Sequence, residues 1–372
     1  MNPKRRAILD QPSGTEGLQL RETWNHKRLV GELSALMERW GYLPIRTPVL
    51  DYYDAFAPLL SDGHTGAMYR LIDREGDILA VRPDATLFLA KQVARILRSD
   101  DLPVRVYYAE TILRPDDRRN ISRNEFFQIG AELIGNGTTD GDLEVAVLLM
   151  QLLDSVLPEQ SVLHIGSRVL ADEVTGTLSE PDAEAFRRAL ALHDDPTCRS
   201  VLAVSDVGAE SADTIMGFLL TIGTAAETGT ALAVLERELG RVRGSLSARF
   251  LEEARRLIHI AKVLEELYGG GRIRVDPSET GSQGYHSGVA FQAYAPGAEA
   301  AVASGGRYDT LYGHFGLETP AVGFSIMLRR LERLKDTGGL PTIEQVKADG
   351  RKFLDRLREA EEARRFGRNT SL

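Results

Sequence analysis

Two alternating apolar stretches separated by a charged segment form the clearest pattern in the chain, between Val104 and Leu133. Apolar residues occupy every second position before the charged segment and again after it, which predicts two strands joined by a loop. The second strand then turns one apolar face inward, consisting of Phe127, Ile129, Ala131 and Leu133. The alternation of side chains gives its other face to Phe126, Gln128, Gly130 and Glu132.

This second face predicts a small groove. Gln128 and Glu132 lie roughly 13 Å apart at about 3.3 Å per residue, and Gly130 between them has no side chain and leaves room for a ligand. An amide and a carboxylate at this spacing suit a small molecule with several N–H donors. The alternative is an ordinary solvated face of a sheet, and the strand pattern alone leaves both interpretations open.

Helical and extended patterns precede this pair of strands. Apolar residues recur at helical spacing over 29–40, and Gly41 stands where a helix would end. Residues 42–50 read as extended, and their two prolines confine them to a sheet edge or a subunit contact. Another helix follows the sequence RPDAT, with Asp84 or Thr86 placed to cap it.

The pattern changes in the second half of the chain. Residues 166–271 are nearly all helical, strand patterns return after them, and a final helix is predicted from Val322 to Leu334. We therefore expect an α+β fold in which 1–165 and 272–335 form one core and 166–271 a mostly helical insertion. The charged tail after the core is expected to be a peripheral helix or partly disordered.

Composition narrows the class of protein. The 372 residues are 43% hydrophobic and 27% charged, which is ordinary for a globular protein with two or more domains. One cysteine, Cys198, excludes an internal disulfide and a cysteine-rich zinc site. No apolar run approaches about 18 residues, and the N-terminus lacks the apolar segment of a signal peptide, so we expect a cytoplasmic protein with no membrane partner.

Charge and histidine spacing exclude further classes. The net charge of −9 disfavours a broad nucleic-acid-binding surface. The seven histidines show no H-E-x-x-H or other metal-binding spacing. We accordingly predict no metal site and no cofactor.

A series of stretches, in order, resembles the catalytic core of class II aminoacyl-tRNA synthetases, and specifically of histidyl-tRNA synthetase. They are 42–50 (motif 1, the dimer-forming strand), 82–86 (the R-P-E-G-T signature), Arg114 with 126–132 (motif 2), 305–309 (the histidine-specific GGRYD) and 321–331 (motif 3). The resemblance implies a mixed, mostly antiparallel sheet flanked by helices. Synthetases of this family carry a C-terminal anticodon-binding domain, and we expect this chain to lack it, because the chain ends before such a domain would begin.

The same resemblance implies a pocket for histidine. Asp84, Thr86 and Gln128 match residues that hold the α-amino group, and Glu132 matches the carboxylate that faces the imidazole. Tyr308 matches a pocket tyrosine. These assignments agree with the predicted groove, since an ammonium and an imidazole N–H need such acceptors.

Further predicted histidine-binding residues are Tyr285, His286 and Arg114. His286 stands where the family has a tyrosine that contacts histidine. Arg114 and Arg330 match arginines that bind ATP in the family.

Departures from the family pattern imply the loss of catalysis. Gly281 stands where the family has a catalytic arginine, and losing such an electrostatic group typically costs several kcal/mol of barrier. Met327 replaces a glycine beside the adenine. We therefore predict no catalytic residues, no adenylation and no tRNA partner.

A histidine pocket without adenylation chemistry resembles the regulatory subunits of ATP phosphoribosyltransferase, paralogues of histidyl-tRNA synthetase in histidine biosynthesis. This resemblance implies activation of a short-form catalytic subunit by assembly, and allosteric feedback inhibition by L-histidine. It also implies a homodimer within a hetero-oligomer, by analogy a hetero-octamer. Two alternatives are a truncated synthetase-like amino-acid ligase, which Arg114 and Arg330 favour, and an RNA-binding module, which the acidic charge balance disfavours.

Overall fold

The computed structural model describes residues 17–18, 20–59, 68–114, 124–205, 207, 209–239, 248–281 and 283–335, and parts of 347–359. The N-terminal arm, most of the charged tail and the loop between the two central strands lie outside these residues.

Strands in the described residues form two sheets. In chain order they are β1 (Leu43–Pro44), β2 (Leu50–Tyr52), β3 (Arg70–Ile72), β4 (Ile78–Val81), β5 (Val104–Leu113), β6 (Glu125–Ile134), β7 (Val162–Ser167), β8 (Ile273–Val275), β9 (Val289–Tyr294), β10 (Ala303–Arg307) and β11 (Ala321–Met327). The larger sheet has the order β1-β5-β6-β11-β10-β9-β7-β8, and the smaller one the order β2-β4-β3. Among the described pairs, β1–β5 and β7–β8 are parallel and the others are antiparallel. The mixed, mostly antiparallel α+β fold is confirmed.

Helices pack against the larger sheet. They are α1 (Leu20–Arg39), α2 (Ala85–Ile96), α3 (Thr139–Val156), α4 (Arg168–Thr175), α5 (Glu180–Ala191), α6 (Asp195–Val204), α7 (Ala209–Leu219), α8 (Ala225–Leu239), α9 (Ala248–Tyr268) and α10 (Leu328–Glu332). Helices α4 to α9 connect β7 to β8, and their buried side chains join those of the sheet, α1 and α3 in one continuous core. In the part of the chain that the structure describes, no helix is long and apolar enough to span a bilayer.

The central strand pair has the predicted form. Strands β5 and β6 pair over their full length, with Val104 opposite Ile134 and Leu113 opposite Glu125. One face of β6 packs into the main core. The other face is also covered, because Gln128 and Glu132 are each only 1% exposed. The solvated-face alternative is therefore wrong.

Gly130 does not provide the ligand space that was predicted for it. Tyr108 lies directly opposite it on β5. A Cβ atom on Gly130 would lie 2.5 Å from the Tyr108 hydroxyl oxygen and 2.4 Å from the Phe324 carbonyl oxygen. The Tyr108 side chain of β5 and the Phe324 backbone of β11 occupy that space. The pattern of one strand alone does not predict these contacts from its neighbours.

Local signals placed the early helices correctly. Helix α1 buries Leu29, Leu33 and Met37, and Gly41 just after it has a φ of 80°, the left-handed conformation that glycine tolerates. Helix α2 begins after Asp84, whose Oδ1 accepts from the Leu87 N–H at 3.2 Å. Strand β1 lies at the sheet edge, where its proline costs no ladder hydrogen bond.

The predicted helix from Val322 to Leu334 is wrong over its first half. That half is strand β11, and the short helix α10 follows it. Strand β11 pairs with β6 on one side and β10 on the other and is buried along its whole length. A strand buried on both faces has no polar alternation, so its apolar run does not distinguish it from a buried helix.

Candidate ligand-binding site

A cavity of about 270 Å³, including its open mouth, lies where β6, β10 and β11 meet the start of α2. Its walls come from these elements, the loop before β9 and the segment after β10. Its limited size and its lining restrict it to a small ligand.

Most of the residues predicted to bind ligand line this cavity. They are Asp84, Thr86, Glu132, Tyr285, His286 and Tyr308. Residues that the sequence did not indicate as ligand contacts complete the lining: Gln283, Ser304, Gly305, Gly323, Phe324 and Ser325. The topology brings together positions from five separate parts of the chain.

Gln128 and Arg114 are not among the lining residues, in contrast to the prediction. The Gln128 Oε1 accepts from the Ala85 N–H at 3.4 Å, and its Nε2 donates to Ser325 Oγ at 3.5 Å. The Arg114 guanidinium lies 5.2 Å from the centroid of the Phe126 ring. Both side chains are engaged with their neighbours, and Arg114 acts on the cavity through its charge.

Two hydroxyl groups hold the carboxyl group of Glu132. Thr86 Oγ1 donates to its Oε1 at 2.8 Å, and the Tyr308 hydroxyl donates to its Oε2. A Cβ atom on Gly323 would lie 1.5 Å from that same Oε2, so only glycine fits opposite Glu132. Burial raises the pKa of Glu132 to about 8 against the hydrogen bonds from Tyr308 and Thr86, and the charge of Asp84 adds to the increase.

Asp84 both caps a helix and lines the cavity. Its Oδ1 caps α2 and also accepts from the Tyr285 hydroxyl at 3.3 Å. Burial raises the pKa of Asp84, and the positive charge of Arg114 opposes that increase. Asp84 therefore places a second carboxyl group in the cavity that Glu132 lines.

Aromatic rings form one wall of the cavity. The Tyr285 ring lies edge to face with Tyr308, their centroids 5.6 Å apart, and with His286 at 5.3 Å. Burial lowers the pKa of His286 to about 4, and the charge of Arg168 acts in the same direction. The imidazole is therefore neutral at physiological pH. Its Nδ1 has no hydrogen-bond partner among the described residues.

The lining has a clear chemical preference. It contains two carboxylates, and none of its described members is a lysine or arginine. Acceptors that no lysine or arginine of the lining pairs with favour a ligand that carries positive charge and N–H donors. The described residues contain no group of three or more His, Cys, Asp or Glu side chains that could hold a metal ion.

Two glycines of the cavity lining are strand residues. Gly305 and Gly323 lie in the paired strands β10 and β11. Gly323 is directly opposite Glu132 in the β6–β11 register. The available signal was the alternation of small residues, Gly323 and Ser325, which is visible once β11 is recognised as a strand.

Comparisons with known proteins identify the family. The histidyl-tRNA synthetase family model matches residues 14–331. An ATP phosphoribosyltransferase regulatory subunit of Moorella thermoacetica is 31% identical over 87% of this chain and 81% of its own length. One from Bacillus licheniformis is 30% identical over 92% of this chain and 85% of its own length.

A solved structure agrees with this assignment at the level of the fold. The crystal structure of an ATP phosphoribosyltransferase regulatory subunit/histidyl-tRNA synthetase from Bacillus halodurans C superposes with a TM-score of 0.77 at 23% identity. The similarity covers 97% of this chain and 91% of that one. The chain belongs to the ATP phosphoribosyltransferase regulatory subunits, which share the histidyl-tRNA synthetase fold.

Proposed function

We propose that this chain is a non-catalytic subunit that assembles with and activates a short-form ATP phosphoribosyltransferase catalytic chain in the first step of histidine biosynthesis. In this proposal it also mediates feedback inhibition by L-histidine. The observation that carries the proposal is a small buried cavity with two carboxylates, Asp84 and Glu132, and no lining lysine or arginine among its described residues.

Histidine fits the chemistry of this cavity. Its ammonium group is proposed to lie at Asp84 and Thr86, where a carboxylate and a hydroxyl are available beside the start of α2. Its imidazole N–H is proposed to face Glu132, which Tyr308 holds in place. Gln128 supports this arrangement from behind the lining through Ser325 and the backbone of Ala85.

The surroundings of Gly281 support a non-catalytic role. Its φ of 81° disfavours any side chain. A Cβ atom there would also lie 1.8 Å from the His286 Nδ1, so the imidazole occupies the space that an arginine would need. Arg330, which matches an ATP-binding arginine, donates to the carbonyl of Ala301. These contacts favour the non-catalytic role over the amino-acid ligase alternative.

Exposed apolar residues support the proposed homodimer. They gather on the smaller sheet and the chain that leads to it: Leu43, Val49, Leu50, Tyr52, Leu71, Ile72 and Ile78. A cluster of this kind is typical of an interaction surface. We propose that two copies pair here, and that such dimers join the catalytic chain in a hetero-octamer.

Feedback inhibition requires two states of the assembly with unequal affinity for histidine, because a ligand shifts an equilibrium only by its differential binding. We propose that the active assembly binds histidine more weakly than the inhibited one. The cavity, closed in by strands and by the aromatic wall, is the part of the chain where that difference would arise.

An ATP phosphoribosyltransferase assay tests the proposal. The purified chain is mixed with a short-form catalytic chain from the same source, with and without histidine. We expect activation on mixing and its reversal by histidine. Glu132→Ala should keep the activation but lose the response to histidine, whereas the exposed control Glu184→Ala should behave as the wild type.

Two results would contradict the proposal. Absence of activation at concentrations where the two chains form a complex would remove the activating role. Pyrophosphate exchange that depends on an amino acid would instead establish a ligase.

A further inference from the structure

A buried network of charged side chains links the cavity to helix α9. Asp142, in the first turn of α3, is fully buried. Arg307 of β10 donates to its Oδ1 from Nε at 2.8 Å and from Nη2 at 2.7 Å. Arg256 of α9 donates to its Oδ2. Each oxygen of one carboxylate is thus held by a different arginine, one from the sheet and one from the helical region.

Arg256 is itself fixed by several contacts. Its Nε donates to Thr139 Oγ1 at 3.1 Å, and its Nη1 lies 3.1 Å and 3.2 Å from the two oxygens of Glu253. Glu253 Oε1 also accepts from Ser167 Oγ at 2.6 Å. Helix α9 is therefore tied at this point to the start of α3 and to the end of β7.

Arg307 holds the backbone on which the cavity walls are built. Its Nη1 donates to Asp309 Oδ1 at 3.0 Å and to the Asn136 carbonyl at 3.0 Å, and its Nη2 to the Thr138 carbonyl at 3.1 Å. The Arg307 carbonyl accepts from the Ser287 N–H at 2.8 Å. Ser287 Oγ in turn accepts from the Asp309 N–H at 2.8 Å.

The two segments that Arg307 joins carry the hydroxyls that hold both acids of the cavity. Tyr308, the next residue, donates to Glu132. Tyr285, two residues before Ser287, donates to Asp84. A shift of the Arg307 backbone would therefore move both tyrosines relative to the acids. Neither Arg256 nor Asp142 lines the cavity.

We propose that Arg256 and Asp142 are positioning residues of the ligand pocket, which make its affinity depend on the placement of helix α9. Asp142 helps to keep Arg307 in place through its Oδ1, and Arg256 fixes the Oδ2 of the same carboxylate, so loss of Arg256 removes one of the contacts that orient it. By linkage, an interaction that draws Arg256 away from Asp142 weakens ligand binding, and bound ligand favours the contact. This inference rests on the proposed binding of histidine.

Two neighbouring arginines on α9 provide a matched test. Arg256→Gln removes the contact with Asp142, whereas Arg255→Gln removes only an exposed ion pair with Glu236. We expect Arg256→Gln to weaken histidine binding, measured by calorimetry, by about three- to tenfold. Arg255→Gln should leave the affinity unchanged, and Arg256→Lys should restore part of it.

Hydrogen exchange tests the positioning effect without any ligand. The backbone amides of Ser287 and Asp309 should exchange faster in Arg256→Gln than in Arg255→Gln, with both variants shown to be folded by circular dichroism. Equal exchange and equal affinity in the two variants would overturn the inference. A wild-type protein that does not bind histidine would refute the proposed function, while the exchange rates would still decide whether α9 positions the walls.

Discussion

At the scale of single residues, Glu132 shows how the fold prepares an acid for a cationic ligand. Its carboxyl group is buried, and burial raises its pKa to about 8. A proton therefore neutralises it at neutral pH when the cavity is empty. A ligand that brings a positive charge favours the ionised form, so we expect binding to release a proton.

The raised pKa of Glu132 predicts a pH dependence of stability. In the unfolded chain the carboxyl has its ordinary pKa of 4.5, against about 8 in the folded state. Between these values the folded state binds more protons, so the free energy of unfolding falls as the pH rises. Glu132→Gln should remove the part of this fall in the free energy of unfolding that comes from Glu132.

Urea unfolding at several pH values between 4.5 and 8 measures the effect. The free energy of unfolding of Glu132→Gln minus that of the wild type should become more positive as the pH increases. The exposed control Glu184→Gln should show no such trend. Parallel pH profiles for the wild type and Glu132→Gln would contradict the assignment.

Gly323 provides a second test at this scale. Gly323→Ala would place a Cβ atom 1.5 Å from Glu132 Oε2 and 2.7 Å from the Ala131 carbonyl oxygen. We expect a loss of about 1–3 kcal/mol in stability from overpacking, and a loss of histidine binding. Thermal unfolding and calorimetry measure the two effects.

A glycine in open space serves as the control for Gly323. Nothing lies within 4 Å of a Cβ atom at Gly229, inside α8. Gly229→Ala should therefore raise stability by about 0.5–1 kcal/mol, because alanine is the better helix former. If Gly323→Ala kept the wild-type stability and affinity, the close contact with Glu132 would not be a constraint.

At the scale of elements, helix α2 combines stability and binding in one side chain. Asp84 caps the helix and faces the cavity. Asparagine caps a helix about as well as aspartate but carries no charge. The two roles of Asp84 can therefore be separated by substitution.

Asp84→Asn should keep the unfolding free energy within about 0.5 kcal/mol of the wild type. It should weaken histidine binding by about tenfold or more, because a charge-assisted hydrogen bond to the ammonium group is lost. Asp84→Ala should lose binding and also about 1 kcal/mol of stability. Chemical unfolding and calorimetry on both variants decide this, and unchanged affinity in Asp84→Asn would remove Asp84 from the site.

Strand β11 marks the limit of local prediction among the elements. The run AVGFSIM contains a single polar side chain, Ser325, because β11 is buried along its whole length. In contrast, the apolar residues of α1 recur at helical spacing, and those of β5 and β6 at every second position. These elements lie where the sequence predicted them. Periodicity identifies an element only when one of its faces is polar.

At the scale of the whole molecule, the smaller sheet presents the apolar surface that we propose pairs two copies. Ile72 on its edge strand β3 is 77% exposed. We also propose that residues 166–271 form an insertion into the core made by 1–165 and 272–335. The continuous core across α9 and the sheet would make the insertion move with the pocket.

Ile72→Glu should weaken self-association by about tenfold or more, because a charge would be buried at the proposed interface. Leu192→Glu, at the C-terminal end of α5, is the control, since Leu192 is similarly exposed at 74% but lies in the helical region. Sedimentation velocity over a range of concentrations measures both. Equal association of the two variants would place the dimer contact elsewhere.

The sequence by itself determined the fold class, the central strand pair, the start of α2 and half of the residues that line the cavity. Period, capping residues and motif order are local properties that the chain carries without its tertiary structure. The tertiary structure decided what fills the space above Gly130, why Gly323 must be glycine, and that Gln128 and Arg114 stay outside the lining. These depend on which strands become neighbours, and strand register brings together atoms that are far apart in the chain.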